Sequence, residues 1–194
     1  MAHPVRFNLF LRLLHWTMAL LIFAMLFIGI GMVSTAGFAY PVLLGLHRPI
    51  GIALLVLVCI RIAIRLVTGA PALPDDLPSW QAYAAKASHV LLYLTIIALP
   101  LIGWGMLSAA GYPVKITDSL ILPPILPRNV ELFGLLRAAH TVIAFLFFAL
   151  ILGHLSAALF HALIRRDGVF QSMWFGGRPT QRQLQLESKP SPAE

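Results

Sequence analysis

Four of the seven histidines fall where paired metal ligands would have to stand. His140 and His154 lie on one strongly apolar stretch, fourteen residues apart; His15 opens the first apolar stretch and His47 the second. An ionisable side chain in a hydrocarbon layer is costly unless it is bound or paired, so such residues mark function by default. Imidazole suits several transition metals. Two neutral imidazoles on one haem iron leave no open position, which favours electron transfer over oxygen binding. The spacing adds geometry. At 3.6 residues per turn, fourteen residues return a side chain to within about 40° of its starting direction after a rise of about 21 Å. One helical stripe would therefore present two axial ligands at two depths of a membrane.

The elements that must carry these residues follow from composition. The chain has 194 residues, 59% of them hydrophobic and 11% charged, with a mean hydropathy of +0.87. A water-soluble domain of this length cannot hide so much apolar surface, and the class is a multi-pass membrane protein. An apolar helix of about 20 residues crosses the hydrocarbon core. Four segments qualify, at about 11–33, 47–67, 88–110 and 136–164. The expected fold is all-α, a four-helix transmembrane bundle over residues 1–175, with a disordered tail over 176–194. The first span lacks an Ala-x-Ala exit and reads as a retained helix. The loop over 111–134 holds Pro113, Pro123, Pro124 and Pro127 among leucines and isoleucines. It is expected to lie along the membrane surface or fold over the helix ends.

The one cysteine, Cys59, excludes an internal disulfide and the Cys-x-x-Cys-His attachment of c-type haem. Haem here would be non-covalent, hence b-type. The net charge of +7 belongs to short segments beside the spans, without the aromatic interleaving of a nucleic-acid surface, and nucleic acid is not an expected partner. Ten basic residues (Arg6, Arg12, Arg61, Arg65, Lys86, Arg165, Arg166, Arg178, Arg182, Lys189) fall on one side and four (Arg48, Lys115, Arg128, Arg137) on the other. The excess marks the cytoplasmic side and places both termini there.

With that orientation His15 and His154 share the inner depth, and His47 and His140 the outer. A lone histidine at a helix end is more often an interfacial residue than a ligand; two depth-matched pairs on different helices are hard to obtain by accident. Metal without haem stays open on topology alone. Gly51, Ala138, Ala139 and Gly153 beside these histidines suit close approach of a macrocycle, or ordinary packing of membrane helices. Arg12, Arg48 and Arg61 are candidate partners for haem propionates, with Arg65 nearby and better explained by topology and snorkelling. His89 and His161 fall toward the inner face; by α-helical geometry His161 lies within about 20° of the His154 stripe. A quinone needs a hydrogen-bond donor and, on reduction, a proton source, and histidine supplies both near neutral pH. Trp16, Trp80 and Trp174 fit an interfacial aromatic belt, and His3 a terminal position.

These residues carry a resemblance. Arg12-Leu-Leu-His15-Trp16, His47-Arg-Pro-Ile-Gly51, Arg61-Ile-Ala-Ile-Arg65, His89-Val-Leu-Leu-Tyr93, Leu99-Pro100-Leu-Ile-Gly103, Gly111-Tyr-Pro113 and Arg137-Ala-Ala-His140 through His154 to His161 are, as an ordered set, similar to the prokaryotic cytochrome b561 family over about residues 5 to 175. The resemblance implies a dihaem four-helix cytochrome of the bacterial inner membrane, with two haem b held by the positions of His15, His47, His140 and His154. Within the family the chain looks like the superoxide oxidases. That implies electrons taken from superoxide, or another periplasmic donor, and passed to ubiquinone at positions matching His89 and His161. The outer Arg48, Lys115, Arg128 and Arg137 would steer an anion, against which Asp118 and Glu131 act. The competing expectation is a cytochrome anchor and electron relay for a partner hydrogenase or dehydrogenase; a third is a non-haem metal-binding or scaffold protein. Membrane lipid, a quinone and the electron donor are the expected partners, and a homodimer or a partner redox subunit is compatible with the sequence.

Overall fold

The computed structural model describes residues 6–35, 37–74, 76–117 and 119–175. His3, Asp75, Asp118 and the tail over 176–194, with Arg178, Arg182 and Lys189, lie outside the described residues.

Runs of leucine, isoleucine, valine and phenylalanine with almost no charge make helices that are apolar all round, the pattern of a span in lipid. The chain builds α1 (Leu9–Ser34), α2 (Ala39–Thr68), α3 (Ser79–Ala110), a hairpin of β1 (Val114–Lys115) and β2 (Ile121–Leu122), α4 (Val130–Leu159), a π-helical turn (Phe160–Arg165) and a short α5 (Val169–Met173). Four helices are long and apolar enough to cross a membrane, the last counted through the π-turn as Val130–Arg165. The expected all-α membrane bundle is what the chain forms.

The helices overrun the expected spans. α2 begins at Ala39, so His47 stands about two turns inside it. α3 begins at Ser79, so His89 stands nearly three turns in. The reasons differ: residues 39–46, Ala-Tyr-Pro-Val-Leu-Leu-Gly-Leu, are themselves apolar and extend α2 ahead of His47, whereas α3 begins in a segment of lower hydrophobicity. Pro41 falls in the first turn of α2, where its missing N–H costs little. Trp80-Gln-Ala-Tyr-Ala-Ala-Lys86 holds good helix formers, which carry α3 past the bilayer core. α4 starts at its cap: the Asn129 side chain accepts from the Leu132 N–H at 2.9 Å, and Glu131 complements the dipole in the first turn.

α1 packs along α2 and α3 along α4, and α2 meets α3 more sparingly. Met18, Leu54, Val58, Ile96 and Phe147 form the buried centre, one or more from each helix. Most remaining leucines and phenylalanines face outward, as lipid requires. The sole cysteine, Cys59, is among the exposed residues. Among the described residues Arg61 is a buried charge, in addition to the buried hydroxyls of Ser108 and Ser172. It is 8% exposed, its Nη1 donates to the Leu11 carbonyl at 2.6 Å and its Nε to the Tyr93 hydroxyl at 3.2 Å. One guanidinium thus ties α1, α2 and α3.

The two ends of the bundle differ. At the hairpin end, the loop after α3 folds back over the helix. Val114 pairs with Leu122 and Lys115 with Ile121 in antiparallel register. Trp104 Nε1 donates to the Pro123 carbonyl at 2.9 Å, the Ile125 N–H to Ser108 Oγ at 3.2 Å and the Asn129 N–H to the Ala109 carbonyl at 3.0 Å. Of the two expected dispositions, folding over the helix end is the one seen. The hairpin itself is an addition, because strands of two residues leave no period in a sequence. At the terminal end, α5 closes against α1: Trp16 Nε1 donates to the Met173 carbonyl at 3.1 Å and the Phe7 N–H to the Ser172 carbonyl at 3.2 Å.

Candidate functional site

The helix pairing brings the four histidines into two facing pairs. His15 of α1 faces His154 of α4 with ring centroids 6.2 Å apart and planes inclined by 68°. His47 of α2 faces His140 of α4 at 6.2 Å and 62°. The first pair lies at the terminal end and the second at the hairpin end. The pairing drawn from depth alone is the pairing the structure makes.

The distance can be weighed against chemistry. The 6.2 Å separation of both pairs falls within ordinary edge-to-face ring contact, about 4.5–7 Å between centroids, and is also wide enough to admit a metal at bonds of about 2.0–2.1 Å to each imidazole. His47 buries an Nδ1 that has no hydrogen-bond partner among the described residues, whereas the His140 ring is within reach of the Leu99 backbone. A buried ring nitrogen left unpaired costs about 1–3 kcal/mol. A metal-bound histidine is normally fixed through its second nitrogen by a carbonyl, carboxylate or water. The donor set, two imidazoles facing across a gap between helices, fits a b-type haem at each level.

Gly103 of α3 makes room at the hairpin-end pair. A Cβ there would lie 3.4 Å from His140 Cε1 and 3.7 Å from its Nδ1, in van der Waals contact with the ring, so a side chain larger than alanine would meet it. The small residues singled out in sequence are less engaged: a Cβ on Gly51 meets only the end of Met25, and one on Gly153 meets nothing within 4 Å.

The cations divide by what already holds them. Arg48 adjoins the hairpin-end pair, acts electrostatically on His47 and keeps a buried Nε without a partner among the described residues. Arg12 also keeps a buried, unpartnered Nε while its Nη1 donates to the Trp174 carbonyl at 3.0 Å. Both retain capacity for an anionic group. Arg61 stands near enough to act on His15, His89 and His154, but two of its donor atoms are engaged by the fold. Arg65 lies over the Phe7 ring at 5.6 Å.

His89 and His161 do not share one environment. The His89 ring stands 5.6 Å from that of His154, inside the terminal-end cluster. His161 lies in the π-turn, against the Phe160 ring, with its Nδ1 2.6 Å from Asp167 Oδ2. His161 is the second residue of the π-turn, where the chain begins to leave the α-helical winding that carries His154. Asp167 is the residue that sequence reasoning passed over. Its signal was a carboxylate six positions after a histidine, at the end of a long apolar helix.

The tryptophans split. Trp16 and Trp174 meet edge to face at 5.1 Å, part of the α5 closure, whereas Trp80 is 70% exposed and suits an interfacial belt. A cavity of about 560 Å³ opens between α2 and α3 near the terminal end, lined by Ile62, Arg65, Leu66, Val90, Tyr93 and Leu94 among others.

A family model described as prokaryotic cytochrome b561 matches residues 6–176. Cytochrome b561 homolog 1 of Escherichia coli (strain K12) is 32% identical over 127 residues, 66% of this chain and 72% of the relative. Cytochrome b561 homolog 2 of the same organism is 28% identical over 175 residues, 88% of this chain and 92% of the relative. A probable superoxide oxidase, CybB, of Yersinia pestis is 31% identical over 164 residues, 82% of this chain and 90% of the relative.

Proposed function

The chain belongs to the prokaryotic cytochrome b561 family, membrane b-type cytochromes of electron transfer, and from that premise we propose that it carries electrons across the bacterial inner membrane from superoxide to ubiquinone through two b haems. The observation that carries the reading is the two facing histidine pairs, each at 6.2 Å, at two depths of one four-helix bundle. His47 and His140 would hold one haem, His15 and His154 the other. Each haem, when bound, supplies a reversible one-electron carrier whose potential is set by its axial ligands and surroundings.

The chain's own residues do the rest. By the charge asymmetry the hairpin end is periplasmic and the terminal end cytoplasmic. Arg48, Lys115, Arg128 and Arg137 at the hairpin end raise the local concentration of an anion such as superoxide. Arg48 and Arg12, with their unpartnered Nε atoms, would bind propionates by charge-assisted hydrogen bonds. At the terminal end His89 and His161 would bind ubiquinone and furnish its protons, and the helix packing excludes water from the interior between. The superoxide substrate rests on the similarity to the Yersinia protein and on the basic hairpin end.

A second reading has its own observation. Leu120, Ile121 and Ile125 of the outer loop are exposed, an apolar face that a partner redox subunit could cover. Protein purified in mild detergent decides between them. A dithionite-reduced minus oxidised spectrum should give two b haems per chain, and a superoxide pulse should reduce a soluble ubiquinone with no other subunit present. Two haems with no superoxide-driven reduction would favour the relay; a colourless preparation would end both readings.

A further inference from the structure

His161 is held by a construction that nothing else among the described residues repeats. The chain leaves α4 through a π-turn, Phe160–Arg165, and reverses at Arg166, the one non-glycine among the described residues with positive φ, at 52°. The Arg166 N–H returns to the His161 carbonyl at 2.8 Å. A left-handed backbone on a side-chain-bearing residue costs about 1–2 kcal/mol, so the turn is kept by what it assembles. What it assembles is a carboxylate under the imidazole. Asp167 Oδ2 lies 2.6 Å from His161 Nδ1, and the Asp167 side chain is 6% exposed.

That carboxylate is itself fixed. Arg165 Nε donates to the same Oδ2 at 3.1 Å, and the Val169 N–H, at the start of α5, donates to Oδ1 at 3.2 Å. Arg165 is anchored on its other side, where Nη2 donates to Asp76 of the α2–α3 connection at 2.9 Å. Arginine stays charged at every relevant pH, so it pairs with Asp167 and does not pass protons. A carboxylate on Nδ1 sets the tautomer and orientation of an imidazole, leaving Nε2 as the working nitrogen.

We propose that Asp167 is a positioning residue for quinone reduction, fixing His161 with Nδ1–H on the carboxylate and Nε2–H presented to the quinone. The inference rests on the quinone site proposed at His161. The proton step is complete without a further reactant. As a quinone oxygen gains electron density, the His161 Nε2–H bond breaks and an O–H bond forms. The neutral imidazole then takes a proton from water at the terminal end. Two electrons, one from each of two superoxide ions oxidised to dioxygen, and two protons convert one quinone to one quinol.

The test mixes anaerobically pre-reduced, full-length protein with either ubiquinone-1 or ferricyanide, an acceptor that takes an electron and no proton. Asp167→Asn should lower the limiting rate with ubiquinone-1 by about tenfold, a part of the roughly 10²–10⁴-fold that a general acid contributes. Its quinone saturation, haem content, spectrum and ferricyanide rate should match wild type, and Asp167→Glu should recover part of the loss. A wild-type ubiquinone-1 rate in Asp167→Asn overturns the inference, as does an equal loss with both acceptors. If Asp167→Asn does not retain its haems, Asp167→Glu carries the test: a loss confined to ubiquinone-1 supports the role, and any other outcome assigns the carboxylate to folding. Wild-type protein that never reduces quinone, or His161→Ala at the full quinone rate, fails the site itself and is read separately.

Discussion

At the scale of single residues, the two histidine pairs are separable. Each pair has one member on α4 and the other on α1 or α2, so one substitution should empty one level only. His140→Ala should lower the haem content from two per chain to one and leave the level served by His15 and His154. His15→Ala should do the reverse. Pyridine haemochrome quantification with the reduced spectrum checks both, and a variant that keeps both haems would break the pairing. His161→Ala should keep both haems and slow quinone reduction by about tenfold or more; a wild-type quinone rate would remove His161 from the site. The pairs were legible because depth follows from counting residues along an apolar run. The fixing of His161 by Asp167 was not, because a π-turn has no hydrophobic period of its own.

At the scale of elements, close approach and backbone conformation decide what the helices tolerate. Gly103 lets α3 pass 3.4 Å from the His140 ring, measured to the Cβ it lacks. Gly103→Leu should push that ring out of place and bring the haem content toward one per chain, with the terminal-end spectrum intact. A two-haem preparation with an unaltered spectrum would show that α3 yields. Gly111 ends α3 at φ 77°, and a Cβ there would lie 2.5 Å from Arg128 Nε. Gly111→Ala should destabilise the protein by about 1–2 kcal/mol from its left-handed backbone. Adding Arg128→Ala should relieve the steric part and leave the backbone part, which thermal unfolding in detergent can resolve. Helix ends were the least legible elements. Residues 39–46 extend the apolar run of α2 through the first-turn position of Pro41, and residues 79–87 continue α3 by propensity, so His47 and His89 sit inside helices and not at their starts.

At the scale of the whole molecule, the bundle has two unlike ends, and function depends on which faces the cytoplasm. The distribution of basic residues predicts that the terminal end lies inside. A C-terminal fusion to a fluorescent protein that matures only in the cytoplasm should glow, and a fusion to a phosphatase active only in the periplasm should be silent. The opposite pattern would reverse the direction assigned to electron flow. The ends also differ in how they are closed: the hairpin end by a loop hydrogen-bonded to Trp104 and Ser108, the terminal end by α5, the π-turn and Asp167.

The sequence by itself determined the membrane class, four helices long enough to span, the order of the histidines along them and the family. All of these depend on how far along the chain a residue lies, and the rise of a helix converts that count into depth. Only the tertiary structure decided what depends on rotation and on chain reversal. It turned His89 toward His154, engaged Arg61 between three helices, laid the outer loop over α3 as a hairpin and set Asp167 beneath His161. Those outcomes arise from contacts between segments far apart in sequence, or from turns of one or two residues, and neither leaves a periodic trace in the chain.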